Sequence, residues 1–155
     1  MKKVFSISLI LSLILDQLVK IVVENSMALY DNLIIVKNFF YITLVHNKGA
    51  AFSILDGNRM ILIFISLLAL FLIYNFYIKN DMKNRLESIT YGILVGGILG
   101  NLLDRIFYGY VIDYFNFKIF GYNFPVFNIA DICIVISVIL MTIVFIRGEV
   151  CKVSK

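Results

Sequence analysis

The apolar positions of this chain fall into four long runs divided by mixed or polar segments. The first covers residues 4–23 and carries charge only at Asp16 and Lys20. The second, residues 60–78, has no charge at all. The third is uncharged over 88–103 and then meets Asp104 and Arg105; the fourth is uncharged over 132–146 and starts near Asn128. About 20 apolar residues in a helix cross the hydrocarbon core of a bilayer, so the pattern predicts four spanning helices. The segment between the first two runs has a different character. Leu33-Ile34-Ile35-Val36 and Phe39-Phe40-Tyr41-Ile42-Thr43-Leu44-Val45 are β-branched and aromatic, and Lys37-Asn38 divides them. That predicts two short strands and a turn, resting on the membrane interface. Pro125 stands ahead of the fourth run, where it fixes the chain's approach without kinking a span.

Composition agrees with one integral membrane domain over 1–155. The chain has 155 residues, 61% hydrophobic and 15% charged, against roughly half and a quarter in a soluble domain. The net charge of +4 is scattered rather than gathered on one face, which argues against a nucleic-acid partner. Cys133 and Cys151 are too few for a disulfide framework. The start, Met1-Lys2-Lys3 followed by an apolar run, imitates a secretory signal, with Ser26-Met27-Ala28 at cleavage-like spacing. Asp16, Gln17 and Lys20, with helix-like sequence beyond them, favour an uncleaved first helix.

Basic residues outside the runs set orientation. Lys2, Lys3, Lys79, Lys83, Arg85, Arg147, Lys152 and Lys155 fall on one side, and Lys37, Lys48, Arg59 and Lys118 on the other. Both termini are therefore expected in the cytoplasm, with the loops near 24–59 and 107–131 facing outward.

Ionisable groups within apolar segments are costly and mark function. Asp16 and Lys20 share a helix face, either as a self-neutralising pair or as a support for site residues. Gly92, Gly96 and Gly100 form a small-xxx-small stripe for close helix packing. The same helix delivers Asn101, Asp104 and Arg105 on one face. Arg105 is open to two readings: a partner for Asp104, or a two-donor grip on a loop or lipid phosphate. His46 is the sole histidine, too little for a zinc site or a His-based triad. Asn47 in the following His46–Phe52 stretch is a better polar candidate. Asp113 and Asp131 lie at the ends of the last outer loop, flanked by Tyr114-Phe115 and Phe127-Asn128. Two neighbouring carboxyls, one ionised and one protonated, suffice to activate water and protonate a leaving group.

Five ordered motifs carry a resemblance: Asp16-Gln17-x-x-Lys20, Asn47-x-Gly49-Ala50-Ala51-Phe52, Gly96-Gly97-x-x-Gly100-Asn101-x-x-Asp104-Arg105, Val111-x-Asp113-Tyr114-Phe115 and Phe127-Asn128-x-Ala130-Asp131. In these the chain resembles bacterial lipoprotein signal peptidase, or signal peptidase II, with Tyr114 where the family commonly has Phe. The resemblance implies an all-α bundle of four transmembrane helices, with a small outer sheet (the cradle) and a short loop helix over the site. It implies a monomer in the bacterial cytoplasmic membrane that contacts membrane lipids. It also implies an aspartyl endopeptidase without metal or other cofactor, cutting diacylglyceryl-modified prolipoproteins just before the lipidated cysteine and blocked by globomycin-type inhibitors. Asp113 and Asp131 map onto the catalytic pair. Asn47, Gly97, Asn101, Arg105, Asn128 and Ala130 map onto residues that line or brace the pocket, and Asp16, Lys20 and Asp104 onto supporting positions. Asn47 or Asn128 is a candidate donor to the developing oxyanion. Two rivals stand beside this reading. A small proton- or ion-coupled transporter would place its charges near mid-bilayer, often in repeated halves. A non-catalytic scaffold would use the glycine stripe alone.

Overall fold

The computed structural model describes residues 1–50, 54–75, 79 and 84–153. Ala51 and Phe52 of the second motif, the end of the second apolar run at 76–78, and Lys83 and Lys155 of the charge pattern lie outside the described residues. The elements in chain order are α1 (Lys2–Ser26), β1 (Asn32–Val36), β2 (Phe40–Asn47), α2 (Arg59–Ile73), α3 (Arg85–Phe107), β3 (Val111–Ile119), β4 (Tyr122–Asn123) and α4 (Ile129–Val153).

Helix α1 packs along α3, and small residues make that possible. A Cβ on Gly92 would collide with Ser8 Oγ, one on Gly96 with Ser12 Oγ, and one on Gly100 with the Asp16 carboxylate. The contact advances four residues on both helices at each step, so the two run parallel. Gly97 serves the opposite neighbour: its Cβ would lie 2.7 Å from the Ala130 carbonyl oxygen and 3.1 Å from Cys133 Cβ of α4. Asn84 caps α3, accepting from Glu87 N at 2.9 Å, which satisfies a donor of the first turn.

The helices are inside out relative to a soluble bundle. Leu11, Leu18, Val22, Phe64, Phe71 and Val138 are exposed, while Asp16, Lys20, Ser88, Thr90, Asn101, Asp104 and Ser137 are buried. Helices α1 and α3 are long and apolar enough to cross a membrane; α2 and the apolar part of α4, Ile129–Val144, are shorter.

The expectation of an all-α protein needs correction. The segments between α1 and α2 and between α3 and α4 form one four-stranded antiparallel sheet in the order β1-β2-β3-β4. Strands β1 and β2 arise where the β-branched runs predict them. Strand β3 arises from Val111-Ile112-Asp113-Tyr114-Phe115-Asn116-Phe117-Lys118-Ile119, a segment of the same chemistry read from sequence as a loop. Val45 pairs with Asp113 and Asn47 with Val111, with a register shift between Ile42 and Val45. The sheet rests on the end of α1 through Val23, Leu44, Ile112 and Tyr114, with Val19, Met27 and Ile129 around them. Phe40 stacks on Phe117 at 4.6 Å and Phe117 on Phe127 at 5.8 Å. The short loop helix is not seen among the described residues between β2 and α2. Residues 54–57 form a turn in which Leu55 (φ 58°) and Gly57 (φ 75°) are left-handed, a backbone that cannot continue a right-handed helix.

Gly96→Leu forces a side chain into the Leu9 carbonyl and Ser12 of α1. It is expected to cost at least about 1–3 kcal/mol, whereas Leu11→Ala, at an exposed position, stays within about 0.5 kcal/mol. Thermal unfolding of the detergent-solubilised proteins checks both.

Candidate active site

Helix α1 supplies the charge on which the site is built. Lys20 is buried, and its Nζ lies 2.8 Å from Asp16 Oδ2, 2.7 Å from Asp104 Oδ2 and 2.9 Å from Asn101 Oδ1. An ammonium has three donors and no acceptor, so these contacts use all of it. The carboxylates are held from their other sides. Asp16 Oδ1 accepts from Ala130 N at 2.9 Å, Asp104 Oδ1 from Gln17 Nε2 at 3.0 Å, and Asp104 Oδ2 from Ile112 N at 3.3 Å. The Asp16–Lys20 spacing thus yields more than a self-neutralising pair: it ties α1 to α3, β3 and α4 together.

Asn101 passes this order on. Lys20 can only donate, so the Asn101 side chain turns its oxygen toward Lys20 and its Nδ2 toward Asp131, donating to Oδ1 at 2.8 Å. Asn128 is buried beside it. Its Nδ2 donates to Asp113 Oδ1 at 2.7 Å, with Asn101 Oδ1 at 3.1 Å and Ile112 O at 3.3 Å also in reach. Its Oδ1 accepts from Asp131 N at 2.9 Å, while Asp131 Oδ2 accepts from Asn128 N at 3.2 Å. This reciprocal pair is a capping box at the start of α4, with Asp in the place usually taken by Glu or Gln. One asparagine therefore contacts both acids.

Asn47 completes the support of Asp113. Its Nδ2 donates to Asp113 Oδ2 at 2.8 Å and its Oδ1 accepts from Gly49 N at 2.9 Å. Asp113 is buried. Burial first, and the nearby Asp131 charge second, push its carboxyl from 3.8 up to about 7, against the opposing hydrogen bonds from Asn47 and Asn128. Arg105 is not bound to Asp104. Its Nη2 donates to Gly49 O at 3.0 Å and its Nη1 reaches Asn101 O at 3.4 Å, so it grips the loop after β2, as the second of its two readings has it.

The structure gathers Asp113, Asp131, Asn47, Asn101, Asn128, Arg105, Asp16, Lys20 and Asp104 into one polar network. Gly97 and Ala130 belong to it as packing positions: the absence of a Cβ at Gly97 lets α4 approach, and Ala130 gives its N–H to Asp16. His46 points away from the acids and contacts Glu24. Sequence reasoning missed Gln17 as a ligand of Asp104 and Glu24 as the partner of His46. The second was legible, because Glu24 continues the four-residue spacing of Asp16 and Lys20. Among the described residues no group of three or more His, Cys, Asp or Glu side chains is arranged to hold a metal.

Comparison with known proteins gives the same direction. The family described as Signal peptidase (SPase) II matches residues 8–147. A lipoprotein signal peptidase of Staphylococcus carnosus is 40% identical over 148 residues, covering 92% of this chain and 93% of that protein. One from Halothermothrix orenii is 38% identical, covering 87% and 90%. A solved structure described as a bacterial membrane enzyme, obtained by the in meso method at 2.3 Å, superposes with a TM-score of 0.85 at 34% identity, covering 92% of this chain and 87% of that one. A second, at 1.9 Å, gives 0.80 at 34% identity, covering 90% of each chain.

Lys20→Met leaves Asp16 and Asp104 buried without their cation. It is expected to destabilise the fold by about 3–5 kcal/mol, read as a lowered midpoint of thermal unfolding in detergent.

Proposed function

This chain belongs to the signal peptidase II family, and from that premise we propose that Asp113 and Asp131 are its catalytic dyad. It is an endopeptidase of the bacterial membrane that removes signal peptides from prolipoproteins. The transporter reading finds no support in the comparisons. The observation that carries the dyad is Asn128, which donates to Asp113 and forms the capping box with Asp131.

Two close carboxyls in a poorly solvated site share a proton. Asp113, the more buried of the two, holds it up to near neutral pH, its carboxyl being pushed up to about 7. Asp131 takes the ionised role: it is less buried than Asp113, receives Asn101 Nδ2 and sits at the positive end of the α4 dipole. Asp131 takes a proton from water, and the water oxygen attacks the scissile carbonyl carbon. Asp113 hydrogen-bonds the carbonyl oxygen and then protonates the departing amine. Asn128 is committed to the two acids, so the second amide hydrogen of Asn47 serves the developing oxyanion. Arg105 fixes the Gly49 backbone beside the scissile segment.

The finer reading of substrate and placement follows the chemistry. The substrate carries diacylglyceryl on the cysteine after the cut, and each buried CH₂ of that lipid contributes about 0.8 kcal/mol to binding. The apolar outer faces of the helices suit a bilayer, with four spans in one domain, both termini cytoplasmic and the dyad toward the outer face. The enzyme acts as a monomer among membrane lipids, needs no cofactor and is inhibited by globomycin-type compounds.

Asp113→Asn and Asp131→Asn are each expected to lower kcat for a lipidated prolipoprotein by at least about 10²–10⁴-fold with the fold intact. A gel-shift assay reads this, and normal processing by either variant overturns the dyad. Activity falls as pH rises through about 7, because Asp113 then loses the shared proton. The same raised value means that Asp113 favours the fold fully only below its ordinary value of 3.8, and that this contribution is lost as pH rises from there through about 7. Asp113→Asn, which cannot ionise, is therefore expected to unfold at a higher temperature than the wild type above that pH.

A further inference from the structure

The polar stripe of α1 continues past the dyad. Asp16, Lys20 and Glu24 recur every four residues on one helix face. The first two organise the Asp131 half of the site. Glu24 reaches the sheet instead, its Oε1 and Oε2 lying 3.0 and 3.2 Å from His46 Nε2. The imidazole stacks on Tyr110, with ring centroids 3.8 Å apart and planes 15° from parallel. Tyr110 also lies beside the Glu24 carboxylate, and Tyr108 stacks beyond it at 6.0 Å.

The position of this cluster matters for Asp113. His46 pairs in register with Ile112 and immediately precedes Asn47. Side chains alternate along a strand, so His46 lies on the far face from Asn47 and Asp113 and touches no reacting atom. The register shift between Ile42 and Val45 interrupts the β2–β3 ladder just before this point. Beyond it, only the pairs at Val45, His46 and Asn47 join the strand that carries Asn47 to the strand that carries Asp113.

We propose that His46 is a positioning residue, resting on the dyad reading above: its contact with Glu24 and Tyr110 clamps the end of β2 against α1 and keeps Asn47 and Asp113 in register with Asp131.

The test uses full-length protein in detergent micelles with a lipidated prolipoprotein, measuring kcat and KM. His46→Ala is expected to lower kcat about 5- to 20-fold, with KM within about twofold. His46→Gln keeps a hydrogen-bonding side chain toward Glu24 and is expected to recover most of that loss. Glu24→Ala combined with His46→Ala is expected to be no worse than His46→Ala alone, since both remove one contact. If His46→Ala fails to fold, Glu24→Ala is expected to show the same fall in kcat with KM within about twofold. Wild-type kcat in His46→Ala, no recovery of kcat in His46→Gln, or additive losses in the double variant overturn the clamp. These outcomes leave the dyad standing, whereas normal cleavage by Asp113→Asn overturns the dyad itself.

Discussion

A single buried ammonium organises this molecule. Lys20 lies among Asp16, Asp104 and Asn101 where water cannot solvate it, and an isolated charge there would cost several kcal/mol. Its three donors therefore dictate where three acceptors must stand. Those acceptors belong to α1 and α3, and through Ala130 and Ile112 they fix the start of α4 and the start of β3. Much of the chain's hydrophobic surface faces outward, so this polar interior and the close glycine contacts hold the helices together beside the apolar clusters around Val23 and Tyr91.

The same constraint reaches the two acids through amides. Asn101 must present oxygen to Lys20, and so presents nitrogen to Asp131. Asn128 caps α4 with Asp131 and hands its remaining donor to Asp113. Each acid thus receives hydrogen bonds, and burial outweighs them at Asp113, whose carboxyl rises to about 7. A carboxyl poised there exchanges a proton near neutral pH, which acid–base hydrolysis requires. Rigid support on helices and a strand places that chemistry with little freedom to drift.

How much of this was legible in the chain varies by residue. The four helices follow from apolar runs, and β1 and β2 from β-branched runs, because both patterns are local. Strand β3 has the same local chemistry, but with Asp113 near its start it reads as a loop. Its strand state depends on pairing with β2, which lies far away in sequence. The glycine stripe announced close packing but not its partners, which are Ser8, Ser12 and Asp16 on one side and Ala130 on the other. Spacing leaves Arg105 open between Asp104 and a loop; in the fold Asp104 receives Lys20, Gln17 and Ile112 N, while Arg105 reaches Gly49 O.

The sequence by itself determined which residues are chemically exceptional: the few acids and amides and the single lysine that interrupt or adjoin apolar runs, where desolvation makes every polar group conspicuous. Periodicity also determined which of them share a helix face. Only the tertiary structure decided that Asp113 and Asp131 are joined through Asn128, that Lys20 serves two carboxylates, and that His46 turns to Glu24. Hydrogen bonds are directional and short, so they are settled by the packing of helices and strands against one another, and no spacing along the chain encodes that geometry.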